Sequence, residues 1–216
     1  LPTDATMVLD KAEYFGSPDP PARRASALWL AARHGHVEVV RRLAEAGADV
    51  NRPNEEGTPP CLIVAVTGHL RMMAALADAG ADLSKSCSGN SRYTAIACSV
   101  TKNDVAMIRL LCARGVDANA EIQGMGCQPV HLAALFGHDA AIIALQEAGA
   151  KLNTVDENGF NAVDRAHMAG HFRTRDLLIE RQATVLRRLV GWKVRPSERA
   201  KAWRSEHEAK STSAPR

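Results

Sequence analysis

Apolar and polar positions between residues 26 and 180 repeat one short grammar. A run of small apolar residues comes first, as in Gln128-Pro129-Val130-His131-Leu132-Ala133-Ala134-Leu135-Phe136, and a glycine follows it at Gly137. A second run, Asp139 to Glu147, then carries Ile142, Ile143 and Leu145 on one face. This spacing predicts two short helices per unit. Pro129 fits the first helical turn, where a missing N–H leaves no bond unmade. Gly137 can take the positive φ that stops the first helix, and Asn is the most tolerable substitute there. The second helix is expected to end at Ala148-Gly149-Ala150, before Leu152-Asn153 and a polar turn. The first unit reads alike, from Ser26-Ala27-Leu28-Trp29-Leu30-Ala31-Ala32 through Val37-Glu38-Val39-Val40-Arg41-Arg42-Leu43 to Gly47-Ala48-Asp49-Val50-Asn51.

The marker recurs as Gly35-His36, Gly68-His69, Asn103-Asp104, Gly137-His138 and Gly170-His171, at intervals of 33, 35, 34 and 33 residues. A second glycine lies twelve residues after each of the first four, at Gly47, Gly80, Gly115 and Gly149. Helices this short are unstable alone in water, so each unit must bury its stripe on its neighbours and the units must stack.

These residues resemble the ankyrin repeats, whose pattern runs Asp-x-x-Gly-x-Thr-Pro-Leu-His-x-Ala-Ala-x-x-Gly-His and later Gly-Ala-Asp-Val-Asn. The resemblance covers about residues 26–180 and implies an all-α solenoid of five helix-turn-helix units with short β-turn or hairpin loops. Three units depart from the pattern: Pro59-Pro60-Cys61-Leu62, Thr94-Ala95-Ile96-Ala97 and Asn161-Ala162-Val163-Asp164 replace Thr-Pro-Leu-His. Their caps read as weaker, which makes units two and three the expected least stable part. The two extra residues between them fall in a polar stretch near Ser86 to Ser91, read as a lengthened loop.

The organisation expected is a cap or linker at 1–25, the repeat domain at 26–180 and a basic, partly helical extension at 181–216. Residues 1–180 hold 17 Lys and Arg against 21 Asp and Glu, whereas 181–216 hold 10 against 3, so an overall charge of +3 conceals an acidic body and a basic tail. In the tail, Val185, Leu186, Leu189 and Val190 are spaced for one helix face, Gly191 and Pro196 interrupt it, and a second short helix is expected over 197–210. Trp192 and Trp203 stand out there in a chain with three tryptophans. The 46% of hydrophobic residues can fill a core, and 4% aromatics suits close helix packing better than a β-sandwich.

Five cysteines without a paired spacing, at 61, 87, 98, 112 and 127, point to free thiols in a reducing compartment. With no apolar run long enough for a membrane span, an intracellular protein, cytoplasmic or nuclear and monomeric, is expected. The start at Leu1 rather than Met fits a fragment or processed form.

No phosphate loop, Gly-x-Ser-x-Gly or HExxH motif is present, so no catalytic role, cofactor or metal is expected. The recurring histidines occupy a slot where the family uses His for hydrogen bonds. Neighbouring units lie about 10 Å apart, too far to share a metal at bonds of ~2 Å.

The resemblance implies that partners bind on the concave side, formed by turn tips and first-helix ends. In register, the slots are Arg33 and His34; Glu55, Glu56, Thr58, Val66 and Thr67; Asn90, Ser91, Tyr93, Thr101 and Lys102; Gly124, Met125, Cys127, Leu135 and Phe136; and Glu157, Asn158, Phe160, Met168 and Ala169. Tyr93, Met125, Leu135, Phe136 and Phe160 supply anchor chemistry for a helix or extended peptide, flanked by Glu55, Glu56 and Glu157. Leu135 and Phe136 could equally pack on the next unit.

The expected role is a scaffold or adaptor for another protein. Alternatives are a regulatory or substrate-recruiting arm of a larger enzyme, or a basic-tail tether to an acidic partner or membrane surface. Nucleic acid ranks last because the acidic body repels phosphates. Asn51 and Asn119, each eight residues after a leucine and two after an Asp, resemble asparagines hydroxylated in ankyrin proteins, whereas Asn153 has Lys151 at that position.

Overall fold

The structure, a computed structural model, describes residues 25–87, 93–122 and 126–189, with backbone alone from 183. The expected N-terminal cap, the slots Asn90, Ser91, Gly124 and Met125, and the tail beyond 189 with both its tryptophans lie outside the described residues. Five helix pairs follow in order: α1 (Ala27–Arg33) with α2 (Val37–Glu45), α3 (Pro60–Thr67) with α4 (Leu70–Asp78), α5 (Ala95–Thr101) with α6 (Val105–Ala113), α7 (Pro129–Leu135) with α8 (Asp139–Glu147), and α9 (Ala162–Met168) with α10 (Phe172–Leu189). First helices stack on first helices throughout, and second on second through units one to four, giving an inner and an outer layer over one core.

The two layers differ because their sequences differ. The inner helices of units two to four are almost wholly apolar and disappear into the stack: every residue of 60–66, 95–100 and 129–134 is buried. Outer helices bury one stripe only, such as Met72, Met73 and Leu76 of α4 or Met107, Ile108 and Leu111 of α6. Each such side chain contributes roughly 1.5–3 kcal/mol when fully buried, and a lone pair of helices of 7 to 9 residues cannot collect that.

Each pair turns at a left-handed residue. Gly35, Gly68, Gly137 and Gly170 have φ between 69° and 80°, and Asn103, at 54°, is the one non-glycine with positive φ among the described residues. Two of the weak caps expected from sequence are in fact made: the Thr94 hydroxyl accepts from Ala97 N–H, and the Asn161 side chain accepts from Asp164 N–H while Asn161 N–H donates to Asp164 Oδ2. Short polar side chains at the N-cap do this whatever follows them. Unit two has no such bond at Pro59.

Hairpin loops close through isolated antiparallel bridges, Ser86 to Thr94, Ile122 to Cys127 and Val155 to Asn161. Ile122 is 1% exposed, whereas Val155, in the same slot one unit later, is 57% exposed. The last helix does not stop near Glu180. It runs 18 residues, about 27 Å, and Gln182 Nε2 donates to the Leu152 carbonyl at 2.7 Å, sealing the end of unit four.

Neighbouring units are tied at two levels. At the hairpin side, Asn51 Oδ1 accepts from Asp82 N–H and Asn119 Oδ1 accepts from Lys151 N–H, each at 2.8 Å. At the far side, the His69 ring lies over Gly35, the His171 ring over Gly137, and His138 Nδ1 lies 2.8 Å from the Val100 carbonyl. The last contact is a hydrogen bond only if that nitrogen carries the proton.

Candidate partner-binding surface

Because the inner helices of units two to four are buried, they offer solvent mainly their last residues and the loops, whereas α1 also exposes residues along its length. Unit one shows Leu30, 36% exposed, half-buried Arg33 and exposed His34. Unit two shows Thr67, while Val66 is buried. Lys102 is exposed in unit three, and its ammonium donates to the Val66 carbonyl in the last turn of α3. A cation suits that position, where helix carbonyls carry partial negative charge. Leu135 and Phe136 are half-buried against the core, and Phe136 stacks on His138 with ring centroids 5.8 Å apart.

Tyr93 does not belong to this surface. It is 1% exposed, and its hydroxyl reaches Thr101 Oγ1 at 2.9 Å. That short intra-unit partner lets the ring turn inward with its polar end satisfied, and burial pushes its pKa upward. Thr58 and Cys127 are also buried, so their slots offer no contact.

Among the acidic slots, Glu55 and Glu157 are exposed and Glu56 is half-buried. Glu157 N–H donates to the Gly126 carbonyl at 2.8 Å, and its side chain lies where a Cβ on Gly126 would sit. The tips of units four and five are thereby locked together, and this Glu is part tie, part surface.

Phe160 is half-buried over a residue that the sequence reading passed over. Arg165 Cζ lies 5.3 Å from the Phe160 ring centroid, and Arg165 Nε donates to Asp156 Oδ2 at 2.5 Å. Asp156 Oδ1 accepts from the N–H groups of Asn158 and Phe160, at 2.9 and 3.0 Å. Asp156 and Arg165 have side chains only 0% and 11% exposed, so the pair fixes the tip. An Arg in a slot that is Leu30, Ile63, Cys98 and Leu132 in the other units was the available signal.

The outer layer presents charges that are already paired: Arg41 and Arg42 with Glu38, Arg109 with Glu147, Arg114 with Asp78 and Arg173 with Asp139. Among the described residues no group of three His, Cys, Asp or Glu could hold a metal ion, and no helix is long and apolar enough to cross a membrane.

A family profile described as "Ankyrin repeats (3 copies)" matches residues 9–87, 28–122 and 94–188. The chain belongs to the ankyrin-repeat family. It is similar to cyclin-dependent kinase 4 inhibitor B of Bos taurus, at 30% identity over 141 residues, 65% of this chain and 80% of the relative. It is equally similar to cyclin-dependent kinase inhibitor 2A of Homo sapiens, at 30% over 148 residues, 68% of this chain and 72% of the relative. The Mus musculus cyclin-dependent kinase 4 inhibitor B matches at 30% over 146 residues, 68% and 85%. This ankyrin-repeat protein is a protein-interaction scaffold, and its partner is another protein.

Proposed function

We propose that the chain holds its partner on the face formed by hairpin tips and first-helix ends, acting as a preformed, non-catalytic platform. One observation supports this above others: the inner layer exposes mainly that strip, which combines half-buried Leu135 and Phe136 with the charges of Arg33, Lys102, Glu55 and Glu157. Half-buried apolar groups ringed by polar ones suit an interface core and rim. A rigid stack also limits the ordering entropy of binding. The outer layer suits this role less, since it presents mainly charged side chains, several of them in ion pairs, and no comparable apolar centre.

The relatives favour a narrower reading of the partner as a protein kinase, because their names describe inhibitors of cyclin-dependent kinases. We place the protein inside the cell, where the free thiols of its five cysteines persist. The test is binding of the full chain to purified cyclin-dependent kinases by calorimetry, beside a Phe136→Ser, Lys102→Glu variant. Binding in the micromolar range or tighter that falls at least tenfold in the variant supports the kinase reading, and no binding to any kinase removes it while leaving the wider one to capture experiments.

A further inference from the structure

The asparagine tie is made at two of the four junctions, and the imidazole of the next unit is in place at three. The junction between units two and three lacks both, being crossed on its hairpin side by the weaker contacts of Cys87 Sγ with Thr58 Oγ1 and the Glu56 carbonyl, each at 3.8 Å. On the hairpin side, the place of Asn51 and Asn119 is taken by Ser84. Its hydroxyl and N–H both turn back to Asp82 Oδ1, at 2.5 and 3.0 Å. The serine oxygen is carried on Cβ, one bond nearer the backbone than the asparagine Oδ1, and here it turns to its own unit and makes no bond to the next.

On the far side, the place of His69, His138 and His171 is taken by Asp104. Its carboxylate caps its own helix, accepting from Met107 N–H at 3.0 Å. The consequence is measurable at the turning glycines. A Cβ on Gly35 or Gly137 would meet the imidazole of the next unit at 3.2 or 2.7 Å, whereas a Cβ on Gly68 would meet nothing within 4 Å. Space left open where the other junctions hold a ring is a local packing deficit.

Clefts open on the outer layer at more than one junction: one of about 290 Å³ lies between Arg109 and Cys112 of unit three and Ala144 and Glu147 of unit four, and one of about 220 Å³ lies here, between Ala81, Asp82 and Ser84 of unit two and Arg114, Gly115 and Val116 of unit three. The cleft here is bridged by the ion pair of Arg114 with Asp78, whose side chains are 35% and 68% exposed. Pairs exposed to that degree contribute little and are screened by salt.

The inner layer is intact there. Helices α3 and α5 bury each other, and Lys102 ties to the Val66 carbonyl. We infer that this junction is a built-in joint, at which units one and two pivot as a block on units three to five. With the inner layer as pivot and the outer layer open, widening the cleft brings the two halves of the partner-binding strip together: Arg33, His34 and Thr67 on one side, Leu135, Phe136 and Phe160 on the other. A stack with one soft joint adjusts its curvature to a partner at a single place instead of straining every junction.

Ser84→Asn is designed to restore the missing tie, its side-chain oxygen reaching Asp117 N–H as Asn51 reaches Asp82. Asn119→Ser removes the tie between units three and four and serves as the reciprocal variant. Hydrogen exchange followed by mass spectrometry on the full chain reads both. In the parent, amides at 81–84 and 115–117 exchange faster than those at the matching places in the other junctions. One net hydrogen bond slows them about fivefold in Ser84→Asn, and Asn119→Ser speeds the junction of units three and four by a similar factor. A fluorophore pair on noncanonical residues at exposed 45 and 140 reads the pivot itself, as a distance distribution that narrows in Ser84→Asn. Equal exchange at all junctions of the parent, exchange indifferent to both substitutions, or an unchanged distance distribution overturns the joint.

Discussion

Gly137 carries two burdens that can be separated by substitution. Its φ of 69° is one that L-residues adopt at a cost, and a Cβ there would lie 2.7 Å from both Cγ and Nδ1 of His171. Gly149 has a φ of 92° but open space around its Cβ position. Gly149→Ala therefore measures the backbone cost alone, about 1 kcal/mol. Gly137→Ala adds displacement of an imidazole that belongs to the next unit, and overpacking of this kind adds roughly 1–3 kcal/mol. The expected total is about 2–4 kcal/mol. Urea unfolding followed by far-ultraviolet circular dichroism reports the two costs, with a midpoint shift in Gly137→Ala at least twice that in Gly149→Ala. Adding His171→Ala removes the obstructing ring, so the double variant costs less than the sum of the two single changes. Equal costs for the two glycines, or strict additivity with His171→Ala, would refute the claim that these rings tie one unit to the next.

Three further outcomes follow from the same geometry. Asp156→Ala leaves Arg165 buried without its carboxylate and frees the N–H groups of Asn158 and Phe160, and should cost about 3–5 kcal/mol in urea unfolding; a loss below 1 kcal/mol would show the pair to be incidental. His131 is held neutral by burial, which lowers its pKa below the ordinary 6.5, and because its Nδ1 accepts from Gln128 N–H its Nε2 must donate to the Thr154 carbonyl. The unfolded chain then binds a proton that the folded one rejects, so stability is full above about pH 6.5 and falls below it, by up to about 1.4 kcal/mol per pH unit until the lowered folded pKa is passed; His131→Gln should flatten that part of the profile by one proton. Burial pushes the thiols of Cys61 and Cys127 up to about 12 and that of Cys98 to about 11, while Cys112 is only half-buried, so a thiol reagent at pH 8 should modify Cys112 first; early labelling of Cys61 would contradict the packing of α3.

The repeat was legible because it rests on local chemistry. Glycines that must take positive φ and apolar stripes on two short helices are visible in single units, a proline stands in the first turn of units two and four, and Asn103 at a turning position was readable as the tolerable exception. The candidate surface was less legible, because register says which slot a residue occupies but not which way its side chain turns. Tyr93 occupies a tip slot and turns inward, because Thr101 is within reach of its hydroxyl. Arg165 was overlooked because its partners, Asp156 and Phe160, lie across a loop whose closure no periodicity reports. The departures from Thr-Pro-Leu-His suggested weak caps, yet Thr94 and Asn161 are themselves capping residues, so the softness of the middle of the stack lies in Ser84 and Asp104 and not in its helix starts. The repeat pattern ends near Glu180 but the helical spacing of Val185, Leu186 and Leu189 runs past it, and α10 continues to Leu189.

The central claim is that the strip of hairpin tips and first-helix ends, and not the outer layer, holds the partner. Affinity capture from cell extract, quantified by mass spectrometry, tests it with three forms of the full chain: the parent, Phe136→Ser with Lys102→Glu on the strip, and Arg41→Glu with Arg109→Glu on the outer layer, each first shown by circular dichroism to be folded. The account predicts a partner retained by the parent and the outer-layer variant and lost from the strip variant. A partner retained by the strip variant and lost from the outer-layer variant would contradict it.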